Sequence, residues 1–294
     1  MDDRMPADRF VIEVFAEDSP LCSTGVDLVS DRLFALGASA VSEREDDHGR
    51  VLLVADLPVT SIDRLGREVG QYRLLEVDPT WSTAWRQHAR SVPVGERLVL
   101  RPEWVPTDSD GPLDAAWGDR IEVVLDAAEA FGSGSHPTTR LCLEALERLG
   151  PALERARVLD VGCGTGVLGV AALAMGAGSL VAVDVDPAAV VATRRTAELN
   201  GVADRVIEVS DRPVAEVTAE HGAFDVVLAN LLIPIVEAIG VDLVAAVVPD
   251  GHLVVSGLLA DPTTGQVERA LVATGSRVDD ALMSEWDGWA AVIT

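Results

Sequence analysis

The chain has 294 residues, 48% of them hydrophobic, and carries 48 acidic against 23 basic side chains for a net charge of −25. That length supports a large core and two domains, whereas the charge makes nucleic acid a poor direct partner, because phosphates repel such a surface, and fits equally the steering of a basic protein partner and adaptation to salt or solubility. No apolar run reaches the roughly 18–20 residues that a bilayer requires, the N-terminal MDDRMPADRF has no apolar signal core, and three scattered cysteines, Cys22, Cys142 and Cys163, suit a reducing cytoplasm without disulfides or zinc.

The first elements read as a small α+β unit. FVIEVFA (10–16) is strand-like, residues 24–36 have helical apolar spacing, and Gly37 suits the stop. SAVSEREDD and VLLVADL (51–57) form a hairpin pattern around Asp47–Arg50, followed by a helix over 60–70 and a strand at YRLLEV (72–77). A β-α-β-β-α-β order of this kind is ferredoxin-like. No chemical motif lies in residues 1–77, so binding or orienting something is their expected work. Residues 78–118 then gather Trp81, Trp85, Trp104 and Trp117 with five prolines. This segment reads as a linker with a short helix near 80–90 and a strand at 97–101, its tryptophans packing between domains rather than serving a partner chain.

From 119 to 294 strands and helices alternate, which implies a mainly parallel sheet. RVLDV, LVAVD, RVIEV, FDVVLAN and HLVVSG read as strands, with two more near 277–283 and 288–293. Helices are expected near 138–149, 167–176, 187–199, 234–247 and 263–274. FGSGSHPTT (131–139) puts glycines before Pro137 at a helix start, where Thr138 and Thr139 offer hydroxyls. His136 fits orientation of that loop better than catalysis. RVLDVGCGTG (157–166) sets Asp160 at a strand tip and then Gly162, Gly164 and Gly166 before a helix, which brings backbone N–H groups against a small ligand. Asp184 ends the next strand, where a carboxylate accepts ribose hydroxyls. Asn230 ends FDVVLAN at the same edge, and its amide can accept an N–H from an incoming amine while leaving the lone pair free.

Two ligand classes compete. GTGVLG (164–169) matches the dinucleotide fingerprint with an acid about 20 residues on. Asp160, however, would repel a pyrophosphate and suits an ammonium or sulfonium. D-x-G-x-G-x-G with Asp184 after the next strand resembles the cofactor site of class I methyltransferases that use S-adenosylmethionine.

A narrower resemblance is carried by AFGSGSHPTTRLCLEAL, VLDVGCGTGVLGVAAL, VAVDVDP, ELNGV, FDVVLANLL, LVVSGLLA and SEWDGWAAVIT, with Trp81, Trp85 and VGERLVLRPEW upstream. In that order and spacing the chain resembles the bacterial methyltransferases of the large-subunit ribosomal protein L-eleven, the PrmA family. The resemblance implies a Rossmann-like seven-stranded class I methyltransferase domain over 119–294, an N-terminal substrate-recognition domain over 1–77 and a flexible linker. It implies N-methylation of lysine ε-amines and an α-amine on a basic ribosomal protein. From the composition the expectation is a cytoplasmic protein that contacts neither nucleic acid nor membrane and holds no metal, and a monomer is expected. Cofactor contacts carry over to Thr139, Gly162, Asp184 and Asn230; Asp160, Gly164 and Gly166 join them from the motif, and Asn230 is also the expected catalytic residue.

Three departures from the family pattern stand out: Ala127–Ala128 in place of Pro-Gly, Ser133 and Ser135 in place of threonines, and Leu231-Leu232-Ile233 after Asn230. They bear on the substrate more than on the cofactor. An apolar pocket near Phe131, Asn230 and Leu231 is expected to lower the amine's pKa. The competing expectations are a methyltransferase of the same fold acting on another protein or a small-molecule amine, and a cofactor-binding protein without catalysis.

Overall fold

The computed structural model describes residues 9–15, 29, 32, 33, 36–38, 41–45, 50–74, 90–105, 118–125, 136–260, 263, 265–275, 282–286 and 288–294. They fall into two compact units, 1–89 and 90–294. The boundary lies inside the segment expected to be a linker. Residues 90–105 belong to the second unit as strands, so the linker reading of 78–118 was too long at its C-terminal side. Of its tryptophans only Trp104, half-buried, is among the described residues.

In the first unit β1 (Arg9–Phe15), β2 (Val41–Glu45), β3 (Val51–Pro58) and β4 (Tyr72–Leu74) form one sheet in the order β2-β3-β1-β4. Every pairing is antiparallel, the arrangement that a β-α-β-β-α-β chain requires. Helix α1 (Ile62–Glu68) supplies one cover; of the helix expected over 24–36, Val29, Arg32 and Leu33 are described and helical. Ile12, Val14, Leu53, Ala55 and Leu57 alternate along β1 and β3 and pack on Val29, Leu33 and Leu65. One face is thus apolar at period two, and Val11, Leu52 and Val54 of the opposite parity are buried as well.

The second unit opens with β5 (Val92–Val94), β6 (Leu98–Pro102) and β7 (Ile121–Leu125), a three-stranded sheet in that order. Seven further strands build the main sheet: β8 (Arg157–Val161), β9 (Ser179–Val183), β10 (Val206–Ser210), β11 (Phe224–Asn230), β12 (Val247–Leu259), β13 (Leu282–Trp286) and β14 (Trp289–Ile293). Their order is β10-β9-β8-β11-β12-β14-β13, with only the β12–β14 and β13–β14 pairs antiparallel.

The helices are α2 (Pro137–Leu149), α3 (Val167–Ala174), α4 (Pro187–Leu199), α5 (Val214–His221), α6 (Ile233–Ala245) and α7 (Gln266–Ala273). The sequence patterns had not singled out α5; its eight residues carry valine and threonine, which favour strands.

Strand parity explains the near-continuous apolar runs of β8 and β11. Val158, Val226 and Leu228 pack on one face with α2 and α3, and Leu159, Val227 and Ala229 on the other with α6 and α7. Both faces are covered, so both parities are apolar. Chain order reverses at β8, with β9 on one side and β11 on the other, so the topological switch point, where ligands of open α/β sheets bind, lies at the carboxyl ends of these strands. Among the described residues no helix is long and apolar enough to cross a membrane.

Candidate functional site

The carboxyl ends of β8, β9 and β11 bring together the glycine loop, Asp184 and Asn230. Gly162, Gly164 and Gly166 have φ of 70, 53 and 77°, a left-handed run that side chains resist. Gly166 starts α3, and no side chain caps that helix. The loop is tied down instead by its neighbours. Gly162 and Cys163 N–H both donate to the Val183 carbonyl at 2.8 and 3.1 Å. Gly164 N–H donates to Asp184 Oδ2 at 2.9 Å, while Asp184 Oδ1 accepts from Asp186 N–H at 2.9 Å. Asp186 in turn caps α4 by accepting from Ala188 N–H. Asp184 thus stands on the loop at the strand end, half-buried, with both oxygens aligned by backbone donors.

Asp160 differs from its expectation. β8 runs one residue beyond it, so Asp160 is not the tip, and parity points its side chain to the α2–α3 face. It is 1% exposed. Oδ2 accepts from Gly169 N–H, one turn into α3, at 2.9 Å, and Oδ1 has no partner. Burial, helped by the nearby charge of Asp184, pushes its carboxyl up to about 7 against the pull of the Gly169 N–H. The structure therefore places Asp160 beneath the loop as its attachment to α3.

Asn230 is half-buried at the last position of β11, paired in register with Ser256 of β12. The turn that follows is held by Leu231 N–H donating to the Ser256 carbonyl at 3.0 Å. At Gly257, φ 86°, a Cβ would lie 2.4 Å from the Leu231 carbonyl oxygen. Only glycine allows this approach, and the ladder between β12 and β14 shifts register there. Sequence reasoning missed Gly257; an isolated glycine inside a strand pattern was the available signal. Leu231 is half-buried, and its side chain lies over Gly162, within 2.4 Å of where a Cβ would sit.

At the start of α2, His136 is the cap. Its Nδ1 accepts from Thr138 N–H at 3.3 Å and lies 2.8 Å from Thr138 Oγ1. Its ring meets Trp289 edge-on, with centroids 4.9 Å apart. Trp289 is itself buried with Leu141, Leu259 and Ala291, so the last strand supports this cap. Thr139 is 1% exposed, and its Oγ1 has no partner. Phe131, Ala127, Ala128, Ser133 and Ser135 lie outside the described residues.

Asn200, in the ELNGV stretch, has a definite task. Its Oδ1 accepts from Val124 N–H at 2.8 Å and its Nδ2 donates to the Val124 carbonyl at 2.7 Å, imitating a neighbouring strand for β7. Glu147 of α2 accepts from Glu96 and Arg97 N–H and holds the β5–β6 turn. The three-stranded sheet is thereby fixed to the helices that carry the site.

Cys142 and Cys163 are buried, and burial pushes both thiols up, Cys142 to about 12. Neither is a nucleophile at neutral pH. Among the described residues one set of metal-type ligands converges, Glu208, Glu220 and His221. Arg212 sits among them, bonding Glu208 and Glu220, and the set reads as an ion-pair network.

The family model for ribosomal protein L11 methyltransferase (PrmA) matches residues 29–294. The ribosomal protein L11 methyltransferase of Parasynechococcus marenigrum (strain WH8102) is 42% identical over 203 residues, 68% of this chain and 67% of that protein. Its namesake from Geobacter metallireducens is 42% identical over 195 residues, 66% of this chain and 60% of that one. The matches thus span about two thirds or less of these relatives' own length. A ribosomal protein L11 methylase from Lactobacillus delbrueckii subsp. bulgaricus superposes with a TM-score of 0.57 at 27% identity, over 70% of this chain and 98% of that structure. With nearly the whole sequence under the family model, the chain belongs to the ribosomal protein L11 methyltransferase (PrmA) family.

Proposed function

We propose that this protein transfers methyl groups from S-adenosylmethionine to amines of the large-subunit ribosomal protein L11, on lysine ε-nitrogens and the N-terminal α-nitrogen. The observation that carries the proposal is the convergence of Asn230, Asp184 and the glycine loop on one edge of the sheet, in a chain whose family model spans 29–294.

The residues present fit such a cofactor. α3 begins without a side-chain cap, which leaves its positive end for a carboxylate. Thr139 Oγ1 is a buried hydroxyl without a partner. Asp184 stands where ribose hydroxyls would donate to it. When bound, the cofactor supplies a methyl group already activated on a sulfonium.

The protein's own task is position and a dry path. Asn230 would accept an N–H of the incoming amine through Oδ1 and so aim its lone pair. That amine must arrive neutral, yet a lysine has a pKa of about 10.4 in water. Leu231 beside Asn230 gives the apolar surroundings that favour the uncharged form. The first unit, with its four-stranded antiparallel sheet, is read as the substrate-recognition domain, and the net charge of −25 favours a basic partner. The chain has no lysine of its own to methylate.

The test is to incubate purified protein with isotopically labelled cofactor and recombinant L11, then weigh the intact substrate. Mass increments of whole methyl groups on L11 are expected. Label that appears in a lysate on other proteins or on small molecules, with none on L11, would transfer the proposal to another amine.

A further inference from the structure

We infer that Thr193 is a positioning residue for the cofactor: from α4 its hydroxyl fixes the Gly164 carbonyl and so sets the face that the glycine loop turns to the ligand. The inference rests on the cofactor proposed above.

A threonine inside a helix ordinarily returns its hydroxyl proton to a carbonyl on the preceding turn. Thr193, wholly buried, instead reaches a loop 29 residues back in sequence. Its Oγ1 lies 3.1 Å from the Gly164 carbonyl oxygen and 3.2 Å from Cys163 Sγ. One hydroxyl has one proton, and the carbonyl is the stronger acceptor. Contact extends to Gly166, where a Cβ would fall 2.8 Å from Thr193 Cγ2 and 2.9 Å from its Cα. α4 is therefore the wall on which the loop is shaped.

The consequence follows from peptide geometry. In a trans peptide the carbonyl and the next N–H point to opposite sides. Holding the Gly164 carbonyl against α4 turns the Thr165 N–H away from α4. Gly164 is also held at its other end, where its N–H donates to Asp184 Oδ2 at 2.9 Å. Thr193 and Asp184 thus grip a single glycine through its carbonyl and its amide. Glycine has no side chain to restrict this peptide. Without the hydroxyl the peptide between Gly164 and Thr165 loses that anchor, and the direction of the Thr165 N–H is no longer fixed from α4, while the Gly164 N–H keeps its bond to Asp184.

Thr193→Val keeps the shape and removes the donor; Thr193→Ser keeps the donor and removes the methyl. S-adenosylhomocysteine, the demethylated product, is titrated calorimetrically into wild type and both variants well below their unfolding temperatures. Thr193→Val should raise Kd about tenfold, as the loss of one buried hydrogen bond implies, and Thr193→Ser should stay within about twofold of wild type. Valine equal to wild type overturns the inference, as does serine as weak as valine, since shape and not the hydroxyl would then matter. If the valine variant does not fold, Thr193→Ala takes its place, and wild-type affinity in it is equally fatal. Failure of the wild type itself to bind would appear before any substitution and would overturn the cofactor proposal.

Discussion

The two rims of the main sheet solve one problem in opposite ways. Both must satisfy backbone groups where strands end and helices begin. On the amino rim arginine side chains do it. Arg157 at the start of β8 donates to the carbonyls of Ala223 and His221 just before β11, and its own N–H donates to Asp225 Oδ2. Arg205, before β10, donates to the Leu173 carbonyl in the last turn of α3 and to the Ala177 carbonyl between α3 and β9. On the carboxyl rim left-handed glycines and carboxylates do it, and α3 begins uncapped. Long side chains reach between elements at one edge, whereas turns of bare backbone do the same work at the other. The sheet is stapled on one side and turned by glycines on the other, where the cofactor is proposed to bind.

The largest effect should come from the open rim. Asn230→Ala removes the acceptor expected to aim the amine. Turnover should fall on the order of 100-fold or more, the scale of losing a positioned group at the reacting centre, while S-adenosylhomocysteine still binds, more weakly but measurably. Wild-type turnover in this variant would remove Asn230 from the catalytic role and leave it a turn residue.

Second in size is the group just beneath that rim. Asp160 is protonated in the fold up to about pH 7 because it is buried, whereas in the unfolded chain an aspartate titrates near 3.9. Between these values the native state binds the extra proton. Stability from this group is therefore full below about pH 4, declines as pH rises to about 7 and is level above. Asp160→Asn keeps an oxygen for the Gly169 N–H and abolishes the titration. Without cofactor the variant should gain on wild type steadily from pH 5.5 to 7, reaching a few kcal/mol at pH 8. Urea unfolding across this range reads it, and a constant difference between the two proteins would show that Asp160 is ionised in the fold.

How much of this was legible beforehand divides along the same rims. The open rim could be read because its devices are local: three glycines at alternate positions, Pro137 at a helix start and acids at strand ends each declare a backbone geometry within a few residues. Asp160 was located but misjudged, since its environment depends on α2 and α3 packing over it. His136 was noted at the start of α2, but its ring contact with Trp289, 153 residues on, has no local pattern to announce it. Asn200, Glu147 and Gly257 act across similar distances on β7, the β5–β6 turn and Leu231. Arg157 and Arg205 were not singled out, because a guanidinium that staples carbonyls of distant turns and helix ends has no sequence signature.

The smallest effect tests that stapled rim. Arg157 is exposed, so charge alone would make it dispensable. Its worth lies in geometry: two carbonyls that precede β11 accept its protons, and its guanidinium carbon lies 5.2 Å from the centre of the buried Phe224 ring. Arg157→Ala leaves those carbonyls to water, which reaches this edge, so the loss should be that of two ordinary hydrogen bonds and a weak cation–π contact, about 1–2 kcal/mol. Arg157→Lys should recover less than half, because an ammonium lacks the planar fork that meets two acceptors together. Thermal unfolding should register the loss while the Kd for S-adenosylhomocysteine stays within about twofold, since β8 transmits no change to its far end as long as Val158 and Leu159 remain packed. A Kd that moved with stability would mean that the two rims are coupled through the strand, and the division of labour between them would fail.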